Sequence, residues 1–358
     1  MTSIDFETAS VAAAAWTVNP FLHYEESRVY NPLTDRALPL DNPGYVRFRD
    51  FVDHGVVDEA LVRDGWIVRA GEDLSHRSLL KVVSIETMTA CNQKCYFCPV
   101  SIAPREDENM PRELYERIVA QLREYRLDGV FLQSYNEPTI DKRFVDNCRT
   151  LFEAGLPVAV LSNGSGLTPG KVDELLRLGT MRYLCINLST LDRDKYKADR
   201  GADHLGVVLR NLDYLRNLKL AEQMRIVVLG GMDDVHRSDF EAIRERFAGS
   251  LFEVAMHRAT DRAGWLSTGH HVERKKKLAG CDLIGSRPIQ HLHITPAGKC
   301  ILCCQDYDEV HIVGDLAMSS VREVLAGEEM AKMRRWVYGI EEAPEDFMCR
   351  TCEFALTR

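Results

Sequence analysis

Three cysteines, Cys91, Cys95 and Cys98, fall in the run Cys91-Asn92-Gln93-Lys94-Cys95-Tyr96-Phe97-Cys98. Iron-sulfur cubes are normally held by four cysteine thiolates. Thiolates at C-x3-C-x2-C spacing can hold three irons of a 4Fe-4S cube and leave the fourth without a protein ligand. The next cysteine, Cys148, lies far along the chain, and nothing after it resembles a ligand pair. The fourth ligand is therefore expected to be exogenous, and an iron open to such a ligand is a place for chemistry. The competing reading is a structural zinc knuckle, although zinc sites usually close with four ligands in paired short spacings.

The chain has eleven cysteines in all. No export signal accompanies them, because the apolar run Val11 to Trp16 follows Asp5 and Glu7 rather than a basic segment. That combination points to metal or redox chemistry rather than a disulfide framework. Cys281, Cys300, Cys303 and Cys304 form a second group and Cys349 with Cys352 a third. Only Cys148 and Cys185 stand apart, as buried small hydrophobes usually do.

The first triplet, with Phe97 just before its last cysteine, resembles the signature of the radical S-adenosylmethionine (SAM) enzymes. The resemblance implies that the open iron chelates the methionine end of SAM. Reductive cleavage then gives a 5'-deoxyadenosyl radical that abstracts hydrogen from a substrate. It also implies a small electron donor such as flavodoxin or ferredoxin. Tyr135-Asn136-Glu137-Pro138 resembles the family's Gly-Gly-Glu-Pro motif, which holds the SAM amino group. Asn136 and Glu137 are its candidate residues, and the loss of both glycines removes the close approach that glycine permits. By the same resemblance Phe97, Ser162, Asn187 and Ser189 belong to the SAM site. Arg200 resembles the arginine that pairs the SAM carboxylate, a task suited to a bidentate guanidinium.

The last hundred residues resemble the auxiliary-cluster region called the twitch or, in longer form, SPASM domain: a cysteine, then G-x4-C, then C-x2-C. On that resemblance Cys281, Cys303, Cys349 and Cys352 close a second 4Fe-4S cube, with Cys300 and Cys304 each able to replace Cys303. Zinc held by four cysteines is the alternative. Asp306 is a candidate proton acceptor or substrate anchor, weighed against an ordinary solvated acid. Cys185, Cys300 or Cys304 could donate a thiol hydrogen in an epimerisation. His270, His271, His291 and His293 show no ligand spacing, and the last two alternate as strand neighbours do.

Positioning these residues falls to a βα repeat. From Val82 to about Arg258, β-branched runs alternate with amphipathic helical segments. Strands are expected at Val82 to Met88, Gly129 to Ser134, Pro157 to Asn163, Tyr183 to Thr190, Arg225 to Gly231 and Leu251 to Arg258. Helices are expected after Pro111, after Thr168-Pro169, along Leu205 to Leu215, and behind a Ser238/Glu241 capping box. Alternation puts Cys185, Asn187 and Ser189 on one face. The fold expected is α/β, a partial (β/α)6 TIM-like barrel over residues 77–260 with its chemistry at the C-terminal ends of the strands. A cysteine-rich auxiliary-cluster domain follows at 261–358. Residues 1–76 read as a small α+β extension: a hairpin around Asn31 to Asp35, a helix from Tyr45 to Asp53, another from Asp58 to Arg63, and a closing strand at Trp66 to Val68. That order resembles the winged-helix-like peptide-recognition units of peptide-modifying radical SAM enzymes.

A chain of 358 residues with 45% apolar content and a formal charge of -9 is ordinary for a water-soluble protein. The acidic balance argues against a nucleic-acid partner, whose phosphates attract lysine and arginine. Arg274 to Lys277 reads as a solvated helix face. No stretch approaches the roughly 18 apolar residues that span a bilayer, so a cytoplasmic enzyme with no membrane partner is expected. Two substrates compete: a ribosomally made peptide to be crosslinked or oxidised, and a small carbohydrate or aminocyclitol to be dehydrogenated or epimerised. A non-enzymatic metal-binding module leaves Glu137, Ser189 and Arg200 without a shared purpose.

Overall fold

The computed structural model describes residues 15–267, 271–283 and 285–357. His270 and most of the apolar run from Val11 lie outside them. The six expected central strands form as β6 (Val82–Ile85), β7 (Gly129–Phe131), β8 (Val158–Ser162), β9 (Met181–Asn187), β10 (Ala221–Gly230) and β11 (Phe252–Arg258), all parallel and in sequence order across the sheet. Their apolar runs are what a parallel sheet covered by helices requires. Val83, Ile85, Val130, Val160, Leu184 and Ile226 are fully enclosed.

The connecting helices are α3 (Arg112–Leu122), α4 (Phe144–Glu153), α5 (Pro169–Leu178), α6 (Arg193–Arg200), α7 (Leu205–Leu215) and α8 (Asp234–Arg246). Thr168 caps α5 as expected, with Pro169 in its first turn. The expected Ser238/Glu241 box does not form. Asp233 caps α8, taking the His236 amide at 2.8 Å, so Ser238 lies inside the helix. A carboxylate one turn earlier competes better for the exposed amides.

The sheet does not stop at β6. Strand β13 (His291–Ile294) adds in parallel beside it, with His293 opposite Ser84, and antiparallel β14 (Lys299–Ile301) and β15 (Ile312–Asp315) extend it to nine strands. The cysteine-rich region is thus built onto the open side of the barrel sheet. Its remaining elements are β12 (Leu278–Cys281) paired with β16 (Ala355–Thr357), the short helix α9 (Arg287–Gln290), α10 (Val321–Ala326) and α11 (Glu328–Val337). Arg274 to Lys277 is no helix face. It runs as coil into β12, and Lys275 turns inward to donate to the carbonyls of Cys352 and Ala355.

The N-terminal unit has a separate small core of Leu22, Val29, Leu38, Phe48, Phe51, Leu61, Trp66 and Ile67. Its hairpin, β3 (Arg28–Asn31) with β4 (Arg36–Pro39), gains a third strand, β2 (His23–Tyr24). Helices α1 (Pro43–His54) and α2 (Glu59–Arg63) follow, capped by Asn42 and Asp58. The closing strand, β5 (Ile67–Arg69), pairs with β1 (Trp16–Val18) and leaves the hairpin sheet alone. This unit docks on the C-terminal region through His23 Nε2 to the Tyr338 hydroxyl at 2.7 Å and Gln290 Nε2 to the Tyr30 hydroxyl at 2.7 Å. Among the described residues no helix is long and apolar enough to cross a membrane.

Candidate active site

Strand β6 ends at Ile85, and the loop that follows carries Cys91, Cys95 and Cys98 at the rim where parallel strands present their C-terminal ends. All three cysteines are half-buried. The loop is laced to the end of α6, with Lys94 N donating to Arg200 O at 2.8 Å and Tyr96 N to Asp199 O at 3.0 Å. Close approach is possible because α6 stops at Gly201, with φ of 61° and no side chain; a Cβ there would sit 3.0 Å from Lys94 Cβ.

The lacing brings Arg200 under the cysteines. Its guanidinium is buried, donates to Asn187 Oδ1 at 2.7 Å and Ser189 Oγ at 2.8 Å, and lies 3.5 Å from Cys95 Sγ. It also stacks over the Phe97 ring at 4.9 Å. Four residues named from sequence (Phe97, Asn187, Ser189 and Arg200) therefore meet at one point beside the first cysteine loop. Cys185, on the same strand, belongs to another level of the sheet, beside Tyr183 and Arg225.

Glu137 forms the neighbouring group. Its carboxylate is buried and accepts from Ser162 Oγ at 2.7 Å, Asn163 N at 2.5 Å, and Thr139 N and Oγ1 at 3.0 and 2.5 Å. Burial pushes its pKa up, and those donors pull it back. The side chain thus braces the ends of β7 and β8 against each other. What this segment leaves open is Asn136 Nδ2, which is buried and without a partner among the described residues, while its Oδ1 takes the Ser134 amide. Asn92, inside the cysteine loop, joins this group through Asn163 Nδ2 at 2.9 Å.

Two residues escaped the sequence reading. Glu86, one residue past β6, is paired with Arg105 at 2.5 and 2.9 Å and takes the Tyr135 amide at 2.9 Å. Arg105 stacks on Tyr135 and Tyr307, and the Tyr135 hydroxyl reaches Cys304 O at 2.5 Å. This chain of contacts ties the barrel rim to the C-terminal region. The usable signal was a carboxylate at the C-terminal end of a parallel strand.

In the C-terminal region Cys281, Cys303, Cys349 and Cys352 line one cavity, walled by Leu283, Leu302, Val337 and Phe354, with Arg287 on its edge. Cys300 is fully buried on β14 away from this cavity, and Cys304 interacts with Cys303 and with the charges of Arg287 and Arg262. Burial raises the thiol pKa at Cys281, Cys349 and Cys352, to about 12 at the last. It does the same at Cys91, also to about 12, and at Cys98. Bound metal reverses that preference, since a coordinating thiol is deprotonated outright. Among the described residues no three His, Cys, Asp or Glu side chains converge closely enough for a single metal ion. A cube is wider than an ion, and four thiols around an apolar cavity suit one.

Asp306 is not a solvated acid. It is buried, its two oxygens accept the amides of Val310 and His311 at 3.0 and 2.8 Å, and it shapes the loop after Cys304. His291 and His293 lie on β13 as expected, stacked at 6.1 Å.

A family model of the radical SAM superfamily matches residues 85–247, and one of an iron-sulfur cluster-binding domain, SPASM, matches residues 281–353. A probable GTP 3',8-cyclase of Pyrococcus abyssi is 30% identical over 45% of this chain and 50% of its own length. The chain spans about half or less of the length of the curated relatives it matches. Among solved structures, Streptococcus suis SuiB bound to precursor peptide SuiA superposes with a TM-score of 0.58 at 12% identity, over 94% of this chain and 93% of that one. BtrN in complex with AdoMet and 2-DOIA gives 0.51 at 16% identity, over 75% and 91%. The chain thus carries a radical SAM domain followed by a SPASM-type domain, and S-adenosylmethionine and iron-sulfur clusters are the cofactors of that pairing.

Proposed function

We propose that the protein cleaves SAM reductively at the Cys91, Cys95 and Cys98 loop and uses the product to abstract hydrogen from a ribosomally made peptide, as a step in its crosslinking or oxidation. The observation that carries the catalytic half is the convergence of Arg200, Phe97, Asn187 and Ser189 beside Cys95. Bound there, a cluster and SAM supply a 5'-deoxyadenosyl radical. The chain's own part is to hold the ligand. Main-chain carbonyls of the loop carrying Asn136 would accept from the amino group, while Asn136 Nδ2 and the Arg200 cradle would donate to the carboxylate end. Cys281, Cys303, Cys349 and Cys352 would hold an auxiliary 4Fe-4S cluster, which would anchor the substrate or accept an electron.

The peptide half rests on the N-terminal unit. A three-stranded antiparallel sheet with β2 and β4 as its outer strands, followed by two helices, offers a strand edge that an extended leader can join by main-chain hydrogen bonds. The fold likeness to peptide-bound SuiB runs through this unit as well as the barrel. The second reading is dehydrogenation or epimerisation of a small carbohydrate or aminocyclitol. It is favoured by partial identity, 26% over 30% of this chain, to the 2-deoxy-scyllo-inosamine dehydrogenase of Niallia circulans.

Deleting residues 1–75 separates the two. On the peptide reading the truncated enzyme keeps its iron and uncoupled SAM cleavage but loses affinity for a leader-bearing peptide. Transfer of deuterium from a labelled free aminocyclitol into 5'-deoxyadenosine by the intact enzyme overturns that reading.

A further inference from the structure

Arg287 occupies the first position of α9 and lines the cavity formed by Cys281, Cys303, Cys349 and Cys352. Arg105, Arg143 and Arg350 each have an acid, Glu86, Asp141 and Glu342, whereas the buried Arg200 and Arg334 donate to neutral oxygens. Arg287 makes no ion pair among the described residues. A guanidinium can only donate, and the side-chain hydrogen bond the structure gives it runs from Nη1 to His291 Nδ1 at 2.7 Å. Its Nε is buried and has no partner among the described residues. Arg287 is half-buried, and the enclosed part of its cation meets the cavity without an acidic partner among the described residues, so an anion bound in the cavity would be stabilised by it.

The flanking residues fix the backbone that carries the guanidinium. Ser286, before it, is fully buried and bonded to the Tyr338 hydroxyl at 2.7 Å. Pro288, after it, is buried and gives its carbonyl to Arg334 Nε at 2.8 Å. Of the other cations near these cysteines, Lys275 is already committed to carbonyls of the 352–355 turn, and Arg262 lies toward Cys303, Cys304 and Cys98.

We infer that Arg287 is the fixed counter-charge of the auxiliary iron-sulfur site and sets its reduction potential. The inference rests on the four-cysteine assignment proposed above. A cluster held by four thiolates is anionic, and reduction adds one electron to it. A guanidinium fixed at the cavity wall therefore stabilises the reduced form more than the oxidised one. Net charge and hydrogen bonding to sulfur are the levers by which a protein moves such potentials. Arg287 is accordingly a positioning and tuning residue rather than a catalytic one, and it makes the auxiliary site a better electron acceptor.

The test is an anaerobic redox titration, followed by electron paramagnetic resonance, of the reconstituted full-length enzyme and of its Arg287→Gln and Arg287→Lys variants. Arg287→Gln should shift the oxidised-to-reduced ratio of the auxiliary cluster at a given potential by tenfold or more, a fall of about 59 mV per tenfold for one electron. Arg287→Lys, which keeps the charge, should shift it less, and the SAM-responsive cluster should titrate as in the wild type. An auxiliary potential unchanged in Arg287→Gln overturns the inference. If Arg287→Gln assembles no auxiliary cluster, Arg287→Lys decides: assembly supports a charge requirement, and failure in both assigns Arg287 to packing and overturns it. A wild-type protein with only one cluster would instead refute the four-cysteine assignment itself.

Discussion

Replacing Glu137 with glutamine tests whether this residue braces the barrel rim. Its Oε1 accepts from Ser162 Oγ and from the Thr139 amide and hydroxyl, and Oε2 accepts the Asn163 amide at 2.5 Å. A glutamine can keep its carbonyl oxygen toward the first three, but its NH2 then faces the N–H of Asn163, donor against donor. Losing a charge-assisted bond removes about 1.5–3 kcal/mol, and a buried donor left unsatisfied adds a penalty of about 1–3 kcal/mol. Part is recovered, because burial raises the Glu137 pKa and so already disfavours its ionised form. A net loss of about 2 kcal/mol is reasonable. At about 2–4 °C per kcal/mol for a unit of this size, Tm should fall by about 4–8 °C. The assay is thermal unfolding under anaerobic conditions, alongside Thr139→Val, which removes one donor and should lower Tm less. SAM affinity should fall in parallel, since the loop carrying Asn136 starts from the braced strands. An E137Q protein that melts within about 1 °C of wild type would refute the bracing role and return the carboxylate to direct ligand contact.

Two further predictions follow from other parts of the fold. Cys349→Ala should lose about four of about eight irons yet keep SAM cleavage, without normal product. Stoichiometric zinc in anaerobically purified wild-type protein would contradict it. His23, buried against Tyr338, has its pKa lowered from 6.5 to about 4, chiefly by burial. The folded state then binds fewer protons than the unfolded state between those values, so stability is full above about pH 6.5 and declines as pH falls toward 4. The loss attributable to His23 is about 3 kcal/mol. His23→Gln should flatten the acid limb of a Tm-versus-pH curve relative to wild type, and an identical slope would exclude His23 as its source.

The barrel was legible because a parallel sheet needs continuous apolar strands, and Val82 to Ile85 or Val158 to Leu161 can hardly be read otherwise. The cysteine groups were legible because ligand spacing is local. What could not be read was non-local. His291 to Ile294 looks like a strand, but nothing in it says that it pairs with β6 and extends the barrel sheet. Trp66 to Val68 likewise looked like a closing strand, but nothing in it says that Ile67 to Arg69 would pair with Trp16 to Val18. The Glu86–Arg105 pair spans a loop whose path only the fold decides. Lys275 was misread because a run of four basic residues usually means a wet surface, whereas the carbonyls of the 352–355 turn offered this one a buried seat. Asp233 outcompeted Ser238 as a cap although both fit the pattern, since either position permits a helix start.

The most direct test is SAM cleavage by the anaerobically reconstituted enzyme with Cys91, Cys95 and Cys98 all changed to alanine, measured with iron content. The wild type should bind about eight irons in two clusters and form 5'-deoxyadenosine under reducing conditions. The triple variant should keep about four irons, in the Cys281, Cys303, Cys349 and Cys352 cavity, and form none. Continued 5'-deoxyadenosine formation by the triple variant would contradict the assignment of the chemistry to the loop after β6.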